Sequence, residues 1–169
     1  KMFVTHVKLM AYFGFFGIDK NLMTKTKEDI YKITIAACEL ASTKTGALIV
    51  IERDIQIRDI ITTGIIMDAD ISPQLLVNIF VPKTPLHDGA VIIRDNRVVA
   101  ATCYLPLTER NDLTKELGTR HRAGLGISEV SDSLTIIVSE ETGSISVARN
   151  GNIFRNLSEK SLRDHLEIS

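Results

Sequence analysis

The stretch Gly46-Ala-Leu-Ile-Val-Ile51 is a short, uninterrupted apolar run that directly follows a glycine. A run of this length without polar alternation is typical of a strand buried on both faces of a sheet. Residues 27–42 carry apolar side chains at helical spacing and predict a helix, with Thr26 and Asp29 resembling a capping box at its start. A helix followed by a fully buried strand indicates an α/β fold.

Helix and strand signals alternate along the rest of the chain. Ser72-Pro73 predicts the start of a second helix, and Asp95-Asn96 predicts a tight turn between two strands. The remaining predictions are strands over 90–93, 98–105, 134–139 and 144–148, a short helix from Arg120 to about Ile127, and a final helix capped by Ser158. Residues 52–71 show no clear period and are predicted to be irregular. We therefore predict one α/β domain with a central mixed β-sheet flanked by helices.

Composition limits the class of protein. The 169 residues are 44% apolar and 24% charged, which is typical of a globular domain and argues against disorder. Twenty Lys and Arg against 21 Asp and Glu give a net charge of −1, so we expect no nucleic-acid partner. Cys38 and Cys103 lack the spacing of a zinc site or a disulfide framework, and are interpreted as reduced thiols of a cytosolic domain.

The amino-terminal residues differ from the rest of the chain. Residues 1–25 are rich in aromatic side chains and are interpreted as a leader segment ahead of a domain over 26–169. The longest uncharged apolar run, Leu9 to Ile18, is about half of the ~20 residues that a membrane-spanning helix needs. We therefore predict no membrane span in this sequence.

Polar residues concentrate first at Leu86-His87-Asp88-Gly89-Ala90, where a loop enters a predicted strand. Gly89 allows a close backbone approach or a positive φ, Asp88 offers an acceptor, and His87 offers a neutral nitrogen ligand. The alternative interpretation is an ordinary turn, since these residue types are also common in turns.

A second concentration is Gly118-Thr119-Arg120-His121-Arg122, where Thr119 is predicted to cap a helix. Positive side chains in the first turn oppose the helix dipole and destabilise the helix unless an anion binds there. A helix start that carries arginines is suited to a phosphate group. The alternative interpretation is a solvated basic patch.

The third concentration is Ser139-Glu140-Glu141 at the end of a predicted strand. Carboxylates beside a phosphate site suit Mg²⁺ or Mn²⁺, although an acidic hairpin loop would look the same. Neither a P-loop nor a dinucleotide-binding GxGxxG motif is present in the sequence. The residues alone therefore indicate a phosphorylated ligand held together with a metal ion.

Two of these stretches resemble the signature motifs of a known family. Thr84-Pro-Leu-His-Asp-Gly-Ala90 and Leu117-Gly-Thr-Arg-His-Arg122 are similar to the DGA and RHR motifs of bacterial diadenylate cyclases. The likeness spans about residues 27–155 and includes Gly46-Ala-Leu-Ile and Tyr104-Leu-Pro-Leu107. It is nearer to the membrane-anchored class of these enzymes than to the DNA-scanning class.

The resemblance implies an enzyme that condenses two ATP into cyclic di-AMP and releases two pyrophosphates across a face-to-face homodimer. The implied catalytic residues are Asp88, Gly89, Ala90, Arg120, His121 and Arg122. The implied nucleotide-binding residues are Tyr104, Leu105, Gly118, Thr119, Ser139 and Glu141. His87 and Asp88 are the implied ligands of a Mn²⁺ or Mg²⁺ ion.

The same resemblance implies a cytoplasmic catalytic domain over 26–169, with 1–25 as a juxtamembrane-like segment. The full-length protein would then be anchored at the bacterial cell membrane and would have regulatory partners. Two alternatives stay open: a sensor that binds ATP or a cyclic dinucleotide without turnover, and a structural interaction domain without nucleotide affinity. Incubation with ATP and Mn²⁺ separates the enzyme from both alternatives, because only the enzyme forms product.

Overall fold

The computed structural model describes the backbone of residues 2–168 and the side chains of residues 22–168. Its helices are α1 Met2–Ser42, α2 Arg58–Ile61, α3 Pro73–Ile79, α4 Thr119–Val130 and α5 Glu159–Glu167. Its strands are β1 Ala47–Ile51, β2 Ile65–Asp70, β3 Ala90–Arg94, β4 Arg97–Cys103, β5 Leu134–Val138, β6 Ile145–Arg149 and β7 Asn152–Phe154. They form one sheet in the order β2-β4-β3-β1-β5-β6-β7, in which β1 and β3 are parallel and the other pairs antiparallel. The predicted α/β domain with a mixed sheet is confirmed.

Helices cover both faces of the sheet, which explains the uninterrupted apolar run of β1. Ile49 faces a core built with α1, α3 and α5, whereas Leu48 and Val50 face a second core built with α2 and α4. Successive strand residues point to opposite faces, so a strand covered on both sides must be apolar at every position. This three-layer packing leaves the strand ends and the edge strand β2, Ile65–Asp70, as accessible parts of the sheet.

The first helix begins far earlier than predicted. Thr26 and Asp29 do not cap it, because the preceding residues are already helical and α1 runs from Met2. Thr26 Oγ1 instead lies 3.5 Å from Asn96 Nδ2, and the side chain of Asp29 is buried. The predicted leader is residues 1–25, and the side chains of residues 1–21 are outside the part of the chain that the structure describes. Among the residues that are described, no helix is long and apolar enough to cross a membrane.

The stretch predicted to be irregular, 52–71, contains α2 and β2. β2 is an edge strand whose pairing with β4 shifts between Ile66 and Ala69, and Asp68 there adopts a φ of +46°. A bulge breaks the two-residue period on which strand prediction depends. This irregular edge explains why the sequence pattern was weak.

Several local predictions are confirmed by the hydrogen bonds or the backbone dihedral angles that define them. Ser72 Oγ accepts from the N–H of Leu75 at 3.1 Å and caps α3. Asp95 and Asn96 adopt φ of +48° and +60°, the signs that a tight hairpin turn requires. Ser158 caps α5 in the same way as Ser72 caps α3.

The two cysteines are free thiols in the structure, and neither is part of a disulfide. Burial raises the pKa of the Cys103 thiol to about 11, and it also raises the pKa of Cys38. Both side chains are therefore protonated at neutral pH and poorly nucleophilic, as expected for packed structural thiols.

An ion pair joins the ends of β1 and β3 that lie away from the polar connections. Glu52 accepts from Arg94 at 2.7 and 2.8 Å and from the N–H of Ile57 at 2.9 Å. Burial on its own raises the pKa of the Glu52 carboxyl, but these hydrogen bonds outweigh it and hold the pKa below its ordinary value. A lowered folded pKa means that the stabilisation is complete above the unfolded pKa and is lost as the pH falls through the folded one.

We expect Glu52→Gln to lower the free energy of unfolding by about 2–3 kcal/mol at neutral pH, because Arg94 loses its charged acceptor. The difference from wild type should shrink in acid, where the wild-type carboxyl is protonated as well. Urea unfolding of both proteins at neutral and acidic pH measures this. Equal stability at neutral pH would show that the pair contributes nothing.

Candidate active site

The three polar connections of the sequence meet at one edge of the sheet, the edge formed by strand ends rather than by the edge strands β2 and β7. The parallel strands β1 and β3 begin there, while β4 and β5 run antiparallel to them and end there. Ala47 pairs with Val138, and Ala90 pairs with Cys103. The register therefore places the residues before β3 and those after β4 and β5 at the same edge.

The loop that enters β3 holds Asp88 at the surface. Gly89 adopts a φ of +82°, and a Cβ on it would lie 2.9 Å from the carbonyl oxygen of Cys103, so a larger residue fits neither the backbone nor the space. Asp88 Oδ1 accepts from the N–H of Gly89 at 3.0 Å, and the carboxylate is exposed. Ala90 is fully buried, so it contributes through its backbone and by packing.

The segment after β4 crosses helix α4. Tyr104 is 70% exposed and is fixed by its N–H, which donates to Thr63 Oγ1 at 2.9 Å, whereas Leu105 is half-buried. A Cβ on Gly126 would lie only 1.8 Å from the carbonyl oxygen of Pro106, so the segment rests directly on the helix backbone. The exposed ring of Tyr104 offers a flat surface on which a nucleobase can stack.

The start of α4 differs from the prediction in its cap. Gly118 occupies the N-cap position and Thr119 is the first helical residue, with no side-chain hydrogen bond capping the helix. The first N–H groups of a helix have no partner within it, and here no acidic residue lies in the first turn to compensate them. This helix start therefore suits a bound anion.

Arg120 is held at this helix start by two neighbours. Its Nη1 lies 3.4 Å from Glu140 Oε2, and its guanidinium lies against the backbone of Gly46 just before β1. Its side chain remains partly exposed and can turn toward a phosphate. Arg120 therefore connects the start of β1, the loop after β5 and the start of α4.

His121 and Arg122 have different environments. His121 is 6% exposed, and burial together with the charges of Arg155 and Arg120 lowers its pKa, so the ring is neutral at physiological pH. Arg122 is half-buried, and its carbonyl accepts from the N–H of Thr108 at 3.1 Å. His121 thus packs within the domain, whereas Arg122 ties the segment after β4 to α4.

The loop after β5 is organised by Ser139. Its Oγ accepts from the N–H groups of Glu141 and Thr142 at 3.3 and 3.2 Å, which shapes the turn. Glu141 is exposed beside it. The predicted pair Ser139 and Glu141 therefore lies at the same edge of strand ends, and Glu140 between them forms an ion pair with Arg120.

The groups at this edge that could hold a divalent cation are His87 and Asp88. His87 Nδ1 donates to the carbonyl oxygen of Thr84 at 2.7 Å, which leaves Nε2 as the ring nitrogen available to a metal. Within residues 22–168, no group of three or more His, Cys, Asp or Glu side chains could hold a metal ion. His87 and Asp88 supply only two protein ligands, so a cation held there would complete its coordination with phosphate oxygens and water.

Gly46 and Thr63 were not predicted as parts of this site, and Glu140 was predicted as a carboxylate suited to a metal rather than as the partner of Arg120. Gly46 carried a signal, since the likeness to the family includes Gly46-Ala-Leu-Ile, but its contact with Arg120 is visible only in three dimensions. Thr63, which follows the end of α2, accepts from the N–H of Tyr104, and it lies in the stretch where the sequence pattern was weak.

We expect Gly46→Ala to weaken ATP binding by about tenfold while the domain stays folded. The new Cβ would lie 2.4 Å from Arg120 Nη1, so the guanidinium must leave its position at the helix start. Calorimetric titration with a non-hydrolysable ATP analogue measures the affinity. As a control, Ser42→Ala places a methyl group at an exposed position of the same connection and should change the affinity much less.

A comparison with protein-family models matches residues 34–153 to the DAC family, described as "DisA bacterial checkpoint controller nucleotide-binding". The chain is 57% identical over 141 residues to the cyclic di-AMP synthase CdaA of Bacillus subtilis, covering 83% of this chain and 52% of that protein. The chain therefore spans about half the length of this relative.

Solved structures show the same fold. A double cysteine mutant of DacA from Staphylococcus aureus is 47% identical and superposes with a TM-score of 0.81 over 82% of this chain and 93% of that chain. A protein from Bacillus cereus described as a hypothetical membrane spanning protein is 46% identical, with a TM-score of 0.73 over 76% of this chain and 63% of that one.

Proposed function

The chain belongs to the DAC family of bacterial diadenylate cyclases, and on that premise we propose that it condenses two ATP into cyclic di-AMP with release of two pyrophosphates. The observation that carries this proposal is that Asp88, before β3, and Arg120, whose guanidinium lies against Gly46 before β1, come to the same end of the parallel strands. A sensor would need the arginines but not an exposed carboxylate at the same end of the sheet.

ATP would bind along the helix start and the segment after β4. The triphosphate lies on Gly118, Thr119 and the uncapped N–H groups of α4, with Arg120 and Arg122 neutralising its charge. The adenine lies against Tyr104, and backbone groups of Leu105 meet its edge. Because the Thr108–Arg122 hydrogen bond and the Pro106–Gly126 contact join this segment to α4, the two ends of the nucleotide would be held at a fixed separation.

The chemistry is a nucleotidyl transfer carried out twice. The 3′-oxygen of one ATP attacks the α-phosphorus of the other, the new O–P bond replaces the bond to the β-phosphate oxygen, and pyrophosphate leaves. Asp88 orients the attacking hydroxyl and takes its proton. Arg120 and Arg122 stabilise the charge that develops on the phosphates, while Ser139 and Glu141 shape the loop beside them.

A divalent cation, Mn²⁺ or Mg²⁺, would supply charge neutralisation at the phosphates when bound by His87 and Asp88. In our proposal His121 stays neutral within the domain and keeps the two flanking arginines in position. Gly89 and Ala90 place Asp88 through their backbone.

We propose that catalysis needs a homodimer in which two such edges face each other. One subunit holds one nucleotide and cannot place a second 3′-hydroxyl in line with the α-phosphate. The exposure of Asp88 and Tyr104 supports this arrangement, since the edge is open to an approaching copy. Apolar Ile65 and Ile66 on the neighbouring edge strand β2 are also exposed and would be covered by that copy.

We further propose that residues 26–169 are the catalytic unit of a longer, membrane-anchored protein with regulatory partners. The similarity to a protein described as membrane spanning supports this, as does the greater length of the relative from Bacillus subtilis. In that arrangement the catalytic unit faces the cytoplasm, where ATP is available, and residues 1–25 lead toward the membrane.

Chromatography of the nucleotide products after incubation with ATP and Mn²⁺ tests the proposed function. We expect cyclic di-AMP and pyrophosphate. Binding of ATP without any product would favour the sensor, and no binding at all would favour a structural domain.

A further inference from the structure

A cavity of about 850 Å³ opens at the edge of the sheet opposite the candidate active site. Its walls come from α1, from α5, and from the ends of β1 and β3 at Ile51 and Ile93. This volume lies within the range of about 300–1,000 Å³ that small-molecule sites occupy. The cavity shares no lining residue with the candidate active site and is a separate feature of the domain.

Asp29 on α1 lines this cavity and is buried, with 3% of its surface exposed. Neither of its carboxylate oxygens has a hydrogen-bond partner. Lys25 Nζ forms an ion pair with Oδ2 at 3.6 Å, which is beyond hydrogen-bond distance, and that lysine is half-exposed. Burial raises the pKa of Asp29 in spite of Lys25 and Lys32, as expected for a carboxylate that lacks donors.

Three of the other charged groups along the wall have partners. Asp132 accepts from the N–H groups of Asp54 and Ile55 at 3.1 and 3.0 Å. Arg53 donates to the carbonyl oxygen of Ile168, and Arg149 lies 5.4 Å from the centre of the Phe154 ring. Asp54 and Glu167 also line the cavity but are exposed to water, so Asp29 is the buried carboxylate on this wall whose oxygens lack hydrogen-bond donors.

Much of the remaining wall is apolar: Ile33, Ile51, Ile71, Ile93, Leu134 and Leu166. An occupant that fits must bring charged donors to Asp29 and an apolar body to these side chains, because a buried carboxylate without donors is costly. We propose that this cavity is a binding site for small organic ammonium ions. The ammonium group donates to Asp29, and its aliphatic or aromatic body packs against the apolar wall. This proposal is independent of the proposed function.

An amide-resolved NMR titration of the chain with hexylammonium chloride, and separately with hexanol, tests the proposal. The two probes share their apolar body and differ in the charged donor. We expect saturable shifts at the amides around Ile51, Ile93 and Leu134, with hexylammonium binding at least about tenfold more tightly than hexanol.

Asp29→Asn should remove this preference for the ammonium, whereas Glu28→Gln, which removes an exposed carboxylate on the same helix, should keep it. Absence of saturable shifts, equal affinity for the two probes, or an unchanged preference in Asp29→Asn would each overturn the proposal. Should Asp29→Asn fail to fold, the comparison of the two probes on the wild-type chain decides.

Discussion

Asp88→Asn is expected to lower the rate of cyclic di-AMP formation by at least about 10²-fold, the scale on which a general base contributes. The substitution keeps the size of the side chain and its hydrogen bond to the N–H of Gly89, but removes the group that takes the proton. Affinity for ATP measured without a divalent cation should change little, because the carboxylate itself meets the ribose hydroxyl and only a cation bound to it meets the phosphates. Turnover and ATP binding are measured on the same preparation.

The matched control for this substitution is Asp164→Asn, which changes an exposed aspartate on α5 that pairs with Lys160. It should leave turnover unchanged. Near-normal turnover in Asp88→Asn would remove this residue from the mechanism. Lost turnover together with equally lost ATP binding would assign it to binding instead of proton transfer.

Replacing both Arg120 and Arg122 with Gln is expected to reduce ATP affinity severely, since each charge-assisted contact with a phosphate contributes about 1.5–3 kcal/mol. The stability of the unliganded domain should remain within about 1 kcal/mol of wild type. Positive charge at a helix start is unfavourable, so its removal offsets the loss of the Arg120–Glu140 ion pair. Lost ATP affinity with unchanged stability is expected of a phosphate site, whereas a structural role would lower the stability of the unliganded domain.

Thermal melts with and without ATP measure both effects in one experiment. Wild type should melt at a higher temperature when ATP is added, and the double variant should not. The control Arg58→Gln removes an exposed arginine at the start of α2 and should retain the full ATP effect. A double variant that melts far below wild type without nucleotide would show that these arginines hold the fold together.

The elements with strong local signals were predictable from the sequence. The run 46–51 became a central strand because both its faces are covered, and Ser72 and Asp95-Asn96 formed the cap and the turn that their residue types favour. The positions of the DGA and RHR motifs before β3 and at the start of α4 followed from the same local patterns.

The rest depended on long-range packing. Thr26 and Asp29 have the residue types of a helix cap, but the helix continues before them, and burial of Asp29 has no local signature. The N-cap of α4 is Gly118 and not Thr119, a shift of one residue that the spacing of the sequence does not reveal. The contact of Gly46 with Arg120 joins residues 74 positions apart, which only the strand order brings together.

We propose that two copies of this chain together convert two ATP into cyclic di-AMP. The most direct test measures cyclic di-AMP and pyrophosphate over a dilution series of the protein with ATP and Mn²⁺, with its oligomeric state followed in parallel. We predict two pyrophosphates for each cyclic di-AMP, and a specific activity that falls as dimers become sparse. A specific activity that stays constant where only monomers are present, or a product other than cyclic di-AMP, would contradict it.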